Sequence, residues 1–316
     1  MIFILFVLLS FFIVFISIKL STYIDYLDKT TKLSGMILGG ILLSVITSTP
    51  ELITSITSLY LDNAEMALGD ILGSNMFNLF ILGTLCIFYM KQLYRYILPK
   101  SFATILLSIF FIYFSMIYFI EENLIIFNTF SVISIIIFII YFIFIKNFSN
   151  NDSQNKIIKV EIIKYIKIKI IIFSILLIVS SIFLTNMADY ICHTNIFFKA
   201  STIGAFLLGI TTSLPEVSTT VALFKFKNFN MGFANIIGSN MFNLFVLIIL
   251  DLLTINNNIF TYVDIETIYI IRATLVMNIM MACYIYLSGS NKILRYIISI
   301  ITVLSYLFVW CNLIIS

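Results

Sequence analysis

Two glutamates stand in apolar surroundings, Glu51 in GGILLSVITSTPELITSITSLY and Glu216 in GAFLLGITTSLPEVSTTVALF, with no Lys or Arg in the turns around either. An isolated ionised carboxylate at membrane depth is costly, so each needs a partner or loses its charge. Their neighbours suggest the partner. Ser44, Thr47, Ser48, Glu51 and Ser55 fall on one face at helical spacing, as do Gly209, Thr212, Ser213, Glu216 and Thr220. The next apolar runs, GDILGSNMFN and ANIIGSNMFN, present Ser74 with Asn78 and Ser239 with Asn243, four residues apart. Pro50 and Pro215 lack an N–H and clash one turn back, which frees the carbonyls of Ile46 and Thr211. Carboxylate, hydroxyl, amide and carbonyl oxygen together form a set suited to a hard cation such as calcium or sodium. Two bland readings stay beside it: protonated glutamates bonding between helices, and prolines that only kink a packed helix.

These residues occur twice in one register, 165 residues apart. Thr47 matches Thr212, Ser48 Ser213, Pro50 Pro215, Glu51 Glu216, Gly73 Gly238, Ser74 Ser239 and Asn78 Asn243. Apolar likeness between membrane segments is cheap, whereas a repeated string of polar residues is not. Asp70 breaks the match, because the second copy has Asn235 there. It shares a helix face with Ser74 and Asn78 and is expected either to place a charge at the outer mouth of a cation pathway or to sit near the membrane interface, favoured by the helix N-terminus.

The elements that must position these residues are membrane helices. Of 316 residues 61% are hydrophobic and only 10% charged, against about 25% charged in soluble domains. Segments near the length of a bilayer span occur at 2–20, 34–60, 64–90, 101–119, 124–145, 168–187, 199–224, 230–250, 267–288 and 293–314. The expected fold is all-α and polytopic: one five-helix repeat over 1–145 with its motif at 39–82, a short cytoplasmic linker over 146–167, and a second repeat over 168–316 with its motif at 204–247. An odd number of spans per copy makes the two copies enter the membrane in opposite senses. Of 18 Lys and Arg, all but Lys199 and Arg272 fall in the loops on one side. That places both termini outside and the linker in the cytoplasm. The Asn147 and Asn151 glycosylation patterns then lie on the wrong side and are chance matches. The first segment lacks a basic start and a cleavage site, so it is expected to be a retained helix. Asp251 is expected at an interface, His193 in an outer loop, and Tyr94, Tyr96, Tyr190, Tyr262, Tyr269 and Trp310 as interface anchors.

VITSTPE and GITTSLPE, each followed by GSNMFN, resemble the α-repeats of the calcium/cation antiporter superfamily, sodium/calcium exchanger type, and especially its short bacterial inner-membrane branch. The resemblance spans the ten-helix layout. It implies helices 2, 3, 7 and 8 around a central cation site, with helices 1 and 6 sliding across them. It gives Glu51 and Glu216 the role of the two principal cation carboxylates. Thr47, Ser48, Ser74, Thr212, Ser213 and Ser239 take oxygen-ligand positions, with the carbonyls of Ser44 and Gly209 beside them, and Asn78 matches the family pattern. Asn243 is a departure, since the best-described exchangers have an aspartate there. Two glutamates balance one calcium or two monovalent ions, and three sodium ions would leave the site at net +1.

The expected function is calcium export by alternating access against inward sodium flow. A proton-coupled exchanger is the runner-up, and a cation channel using the same oxygens is less favoured. The expected partners are calcium, sodium or protons and the lipid bilayer, with no cofactor and no nucleic acid; oligomeric state is not legible. Without HExxH, GxSxG or a nucleophile near a base, enzyme chemistry is not expected. Four cysteines (Cys86, Cys192, Cys283 and Cys311) show no metal-binding spacing.

Overall fold

The computed structural model describes residues 2–30, 38–121, 131–149, 160–194, 199–254 and 257–315. Among these the chain is helical and without strands. Its helices of twelve residues or more are α1 (Ile2–Thr30), α2 (Thr49–Tyr60), α3 (Ala64–Phe88), α4 (Lys100–Glu121), α5 (Val132–Ser149), α6 (Val160–Thr194), α7 (Leu214–Lys225), α8 (Phe229–Leu253), α9 (Ile265–Tyr286) and α10 (Lys292–Ile315). Six are long and apolar enough to cross a membrane, or eight spans if each of two bent pairs is counted as one. Shorter apolar helical stretches run over Ile4–Leu20 and Val132–Lys146.

The bent pairs come from the proline segments. Gly40–Thr47 meets Thr49–Tyr60 at 43°, and Ala200–Thr212 meets Leu214–Lys225 at 41°. In both, the chain restarts as a helix with Pro50 or Pro215 in its first turn, where a missing N–H does no harm. Each lead-in also contains a π-helical turn, Leu38–Leu43 and Gly204–Leu208, a wider winding that frequently marks functional sites.

Helices α3 and α8 cross at the centre, and each takes the π-helical turn of the other copy against its own glycine. A Cβ on Gly238 would lie 2.2 Å from the carbonyl oxygen of Gly40, and one on Gly73 would lie 2.5 Å from Cα of Ala205. Only glycine permits that backbone approach. Helices α2 and α7 pack beside this crossing, and α4, α5, α9 and α10 complete the main apolar core. Helices α1 and α6 pair with each other, α1 lying on α7 and α6 on α2, and they form a separate apolar cluster. The hydroxyls of Ser10, Ser17, Ser174, Ser180, Ser181 and Thr185 bond to carbonyls of their own helix rather than across this seam.

Some expectations change in detail. Helices α1 and α6 extend well beyond the apolar stretches at 2–20 and 168–187, because the polar ends Ser21–Thr30 and Val160–Lys167 continue the winding. Much of the 146–167 linker, Asn151 included, lies outside the described residues, as does the His193 side chain. Asp251 is not interfacial. It is fully buried and accepts from the backbone N–H of Ser131 at 2.9 Å, Ser134 Oγ at 2.7 Å and the N–H of Ile259 at 3.1 Å, joining the start of α5 to the loop after α8. Cys86, Cys283 and Cys311 are free thiols.

Candidate functional site

The breaks at Ser48 and Ser213 set Glu51 and Glu216 in the first turns of α2 and α7. A helix start carries unsatisfied N–H groups and a partial positive charge, which favours an anion there. Both glutamates are fully buried, and each is held by the serine at the break of the opposite copy. Ser48 Oγ donates to Glu216 Oε1 at 2.7 Å, and Ser213 Oγ donates to Glu51 Oε1 at 3.1 Å. Ser239 Oγ reaches the same Glu216 oxygen at 3.3 Å.

The asparagines of α3 and α8 form a second reciprocal layer. Asn78 Nδ2 donates to Asn240 Oδ1 and Asn243 Nδ2 to Asn75 Oδ1, both at 3.0 Å. Asn75 Nδ2 and Asn240 Nδ2 in turn donate to each other's backbone carbonyls at 3.2 and 3.1 Å. Asn75 also reaches Tyr113 Oη of α4 at 2.8 Å. The roles of Asn75 and Asn240 were open to sequence reading only as identities shared by the two GSNMFN strings. Their effect is to fix the amides of Asn78 and Asn243 so that donors are used and oxygens are left over.

Those leftover atoms define the site. Glu51 Oε2, Glu216 Oε2, Asn78 Oδ1 and Asn243 Oδ1 are buried without a hydrogen-bond partner. A buried unsatisfied polar group costs about 1–3 kcal/mol, and a charged one more. Four unpartnered oxygens among residues that both copies supply form the candidate site. Among the described residues no three His, Cys, Asp or Glu side chains stand close enough to hold one metal ion. The set is therefore two carboxylates extended by neutral oxygens, a hard-cation pattern.

The remaining expected residues lie around this centre. Ser44, Thr47, Thr212, Ser74 and Gly209 are all buried. Thr47 Oγ1 bonds to the carbonyls of Leu43 at 3.0 Å and Ser44 at 3.3 Å. The Ser44 carbonyl also accepts the N–H of Ser48 at 2.9 Å, which closes the last turn before the break. Across the site Thr212 Oγ1 likewise bonds to a carbonyl of its own helix, that of Leu208 at 2.9 Å, and Ser74 Oγ donates to the Gly209 carbonyl at 3.1 Å and lies 3.4 Å from Thr212 Oγ1. Asp70 is at no surface. It is fully buried, with Oδ1 accepting from Thr212 Oγ1 at 3.1 Å and Oδ2 from Ser55 at 3.1 Å and from Thr54. Sequence reading did not single out Thr54; its counterpart Thr219 is its only signal.

The profile of the family described as "Sodium/calcium exchanger protein" matches residues 1–147 and 167–314. No curated protein matches the sequence. Solved structures of the sodium-calcium exchanger NCX_Mj are similar to the whole chain. The form soaked with 10 mM Na+ and zero Ca2+ has a TM-score of 0.71 at 18% identity, covering 99% of this chain and 100% of that one. The form soaked with 2.5 mM Na+ and 0.1 mM Sr2+ has a TM-score of 0.72 at 20% identity, with 99% of each chain covered. The form with zero Na+ and Ca2+ has a TM-score of 0.62 at 18% identity, again covering 99% of both. At these identities the likeness is one of fold.

Proposed function

Because the chain belongs to the sodium/calcium exchanger protein family, we propose that it is a secondary antiporter that exchanges calcium for sodium by alternating access at Glu51 and Glu216. The observation that carries this reading is the pair of buried carboxylate oxygens, Glu51 Oε2 and Glu216 Oε2, left without partners beside the similarly bare Asn78 and Asn243 oxygens. A divalent cation neutralises both glutamates at once. Two sodium ions do the same, so the two loads compete for one set of charges. Thr47, Ser48, Ser74, Thr212, Ser213, Ser239 and the Ser44 and Gly209 carbonyls supply further oxygens around them. An empty, doubly negative centre is expensive to carry past a hydrophobic barrier, and that expense couples one flux to the other.

In this reading the two copies are five-helix repeats of inverted topology. Six long helices and two bent pairs supply up to eight crossings, and the reading takes the two shorter apolar helices as the remaining two. The reciprocal serine and asparagine bonds are what a two-fold relation produces. Helices α1 and α6, packed as a separate apolar cluster and bonded along themselves, slide across the bent helices and open the site to one side at a time. The Lys and Arg bias places both termini outside and the linker in the cytoplasm. A bacterial or archaeal inner membrane is the location that the resemblance to the short inner-membrane exchangers implies. Coupling to protons instead of sodium is the second reading, since the same bare carboxylate oxygens can take up protons.

The test is equilibrium binding of calcium-45 to the purified protein. Bound calcium should fall as sodium is added, and Glu51→Gln and Glu216→Gln should each lower calcium affinity by at least about a hundredfold, as removal of a carboxylate ligand from a buried site does. Calcium binding that survives in both variants would place the site elsewhere.

A further inference from the structure

Arg295 is a buried cation that belongs to neither the glutamates nor the asparagine layer. It stands in the first turn of α10, and it is fully buried, as are its neighbours Tyr284 of α9 and Cys86 of α3. Its Nη1 donates to the Leu93 carbonyl at 3.0 Å, and its guanidinium lies over the Tyr284 ring, 4.2 Å from the centroid. Among the described residues no carboxylate pairs with it. The helix gives it no help either, because a helix start carries partial positive charge and favours an anion.

The atoms left over are specific. Arg295 Nε and Nη2 and the Tyr284 hydroxyl are buried without a hydrogen-bond partner. In a guanidinium, Nε–H and one N–H of Nη2 point the same way and form the side-on fork that grips an anion with two parallel bonds. The Leu93 carbonyl takes the other nitrogen and the Tyr284 ring takes a face, so the edge left bare is the anion-binding one. The Tyr284 hydroxyl lies beside the guanidinium and the Cys86 thiol, and both O–H and S–H can donate. Donors therefore gather here around a full positive charge. A buried water would occupy the N–H groups and leave the charge, and an uncompensated buried charge is strongly unfavourable. An anion answers both.

We propose that Arg295, with the Tyr284 hydroxyl, binds a small inorganic anion of chloride size. Complete burial sets the size, since an enclosed fork has no room for a lipid headgroup. The anion bridges α9 and α10 where both meet the end of α3 and the segment carrying Leu93, all on the side of the Lys- and Arg-rich loops. It shares no residue with the glutamate site and does not depend on the exchanger reading. Its effect is to make the packing of these helix ends depend on an anion, whatever cation is present.

The test uses the full-length purified protein in detergent, without sodium or calcium, in choline chloride and in choline gluconate of equal ionic strength. The thermal midpoint of the wild type should be higher in chloride by about 2 °C or more and should saturate with chloride concentration. Arg295→Met removes the charge and fills the space with an apolar chain, a replacement that buried ionic positions often accept. It should melt at the same temperature in both salts. Equal midpoints for the wild type in the two salts overturn the proposal, and so does a chloride shift of the same size in Arg295→Met, which would be a general salt effect. A second measurement needs no variant: crystals of the wild type grown in bromide should show an anomalous peak in contact with Arg295 Nε and Nη2 and Tyr284 Oη. A well-ordered Arg295 with no bromide at that edge would mean that water or packing alone satisfies it, and the anion site would fall.

Discussion

Ser48 and Ser213 each hold the carboxylate of the opposite copy, so they tie the two copies together at the proposed ion site. A hydrogen bond to a charged group contributes about 1.5–3 kcal/mol. Ser48→Ala or Ser213→Ala also removes an oxygen proposed to join the cation, and if that loss outweighs the bond made in the empty site, calcium binding weakens by about tenfold or more in a folded protein, which titration with calcium-45 reads directly. Unchanged affinity in both would mean the serines only fill space. These residues were legible in the sequence because polar side chains inside apolar runs are rare and came in duplicate. Their partners were not. Nothing in the string says that Ser48 reaches Glu216 rather than Glu51, because that depends on how the copies face each other. Asp251 shows the opposite limit. A carboxylate near a helix end reads as interfacial, yet its three bonds to Ser131, Ser134 and Ile259 come from segments 8 to 120 residues away in sequence.

At the scale of elements, the bent helices follow from Pro50 and Pro215, and the site residues follow from the bends, because each break places a glutamate at the start of a half-helix. The π-helical turns before them carry no sequence signal of their own. They are set by the crossing with α3 and α8, where Gly73 and Gly238 admit the backbone of the other copy. Gly238→Ala would put a methyl 2.2 Å from the Gly40 carbonyl oxygen, a backbone atom that cannot step aside alone. The variant should lose most of its monodisperse peak in detergent size-exclusion chromatography. Gly83→Ala is the matched control, since its Cβ would come no nearer than 3.3 Å to the Thr302 side chain and 3.4 Å to the Ser299 carbonyl oxygen. That variant should elute as wild type, and a wild-type profile from Gly238→Ala would contradict the close-crossing account.

For the whole molecule, one sequence feature had the widest consequences: the 165-residue repeat. It made the helical layout and the paired glutamates legible, and the family match over 1–147 and 167–314 falls on the same two halves. The separation of α1 and α6 into their own apolar cluster was not legible from composition, since every segment of the chain is apolar. It emerges from which faces meet. The core is bonded across the copies, whereas the described serine and threonine hydroxyls of the outer pair bond to carbonyls of their own helices; in the proposed exchange cycle that pair is the part that moves. The most direct test is calcium-45 uptake into proteoliposomes loaded with sodium, with wild type beside Glu51→Gln and Glu216→Gln. The account predicts uptake that requires the outward sodium gradient and disappears in both variants. Uptake that proceeds equally with choline inside, or that persists without either glutamate, would contradict it.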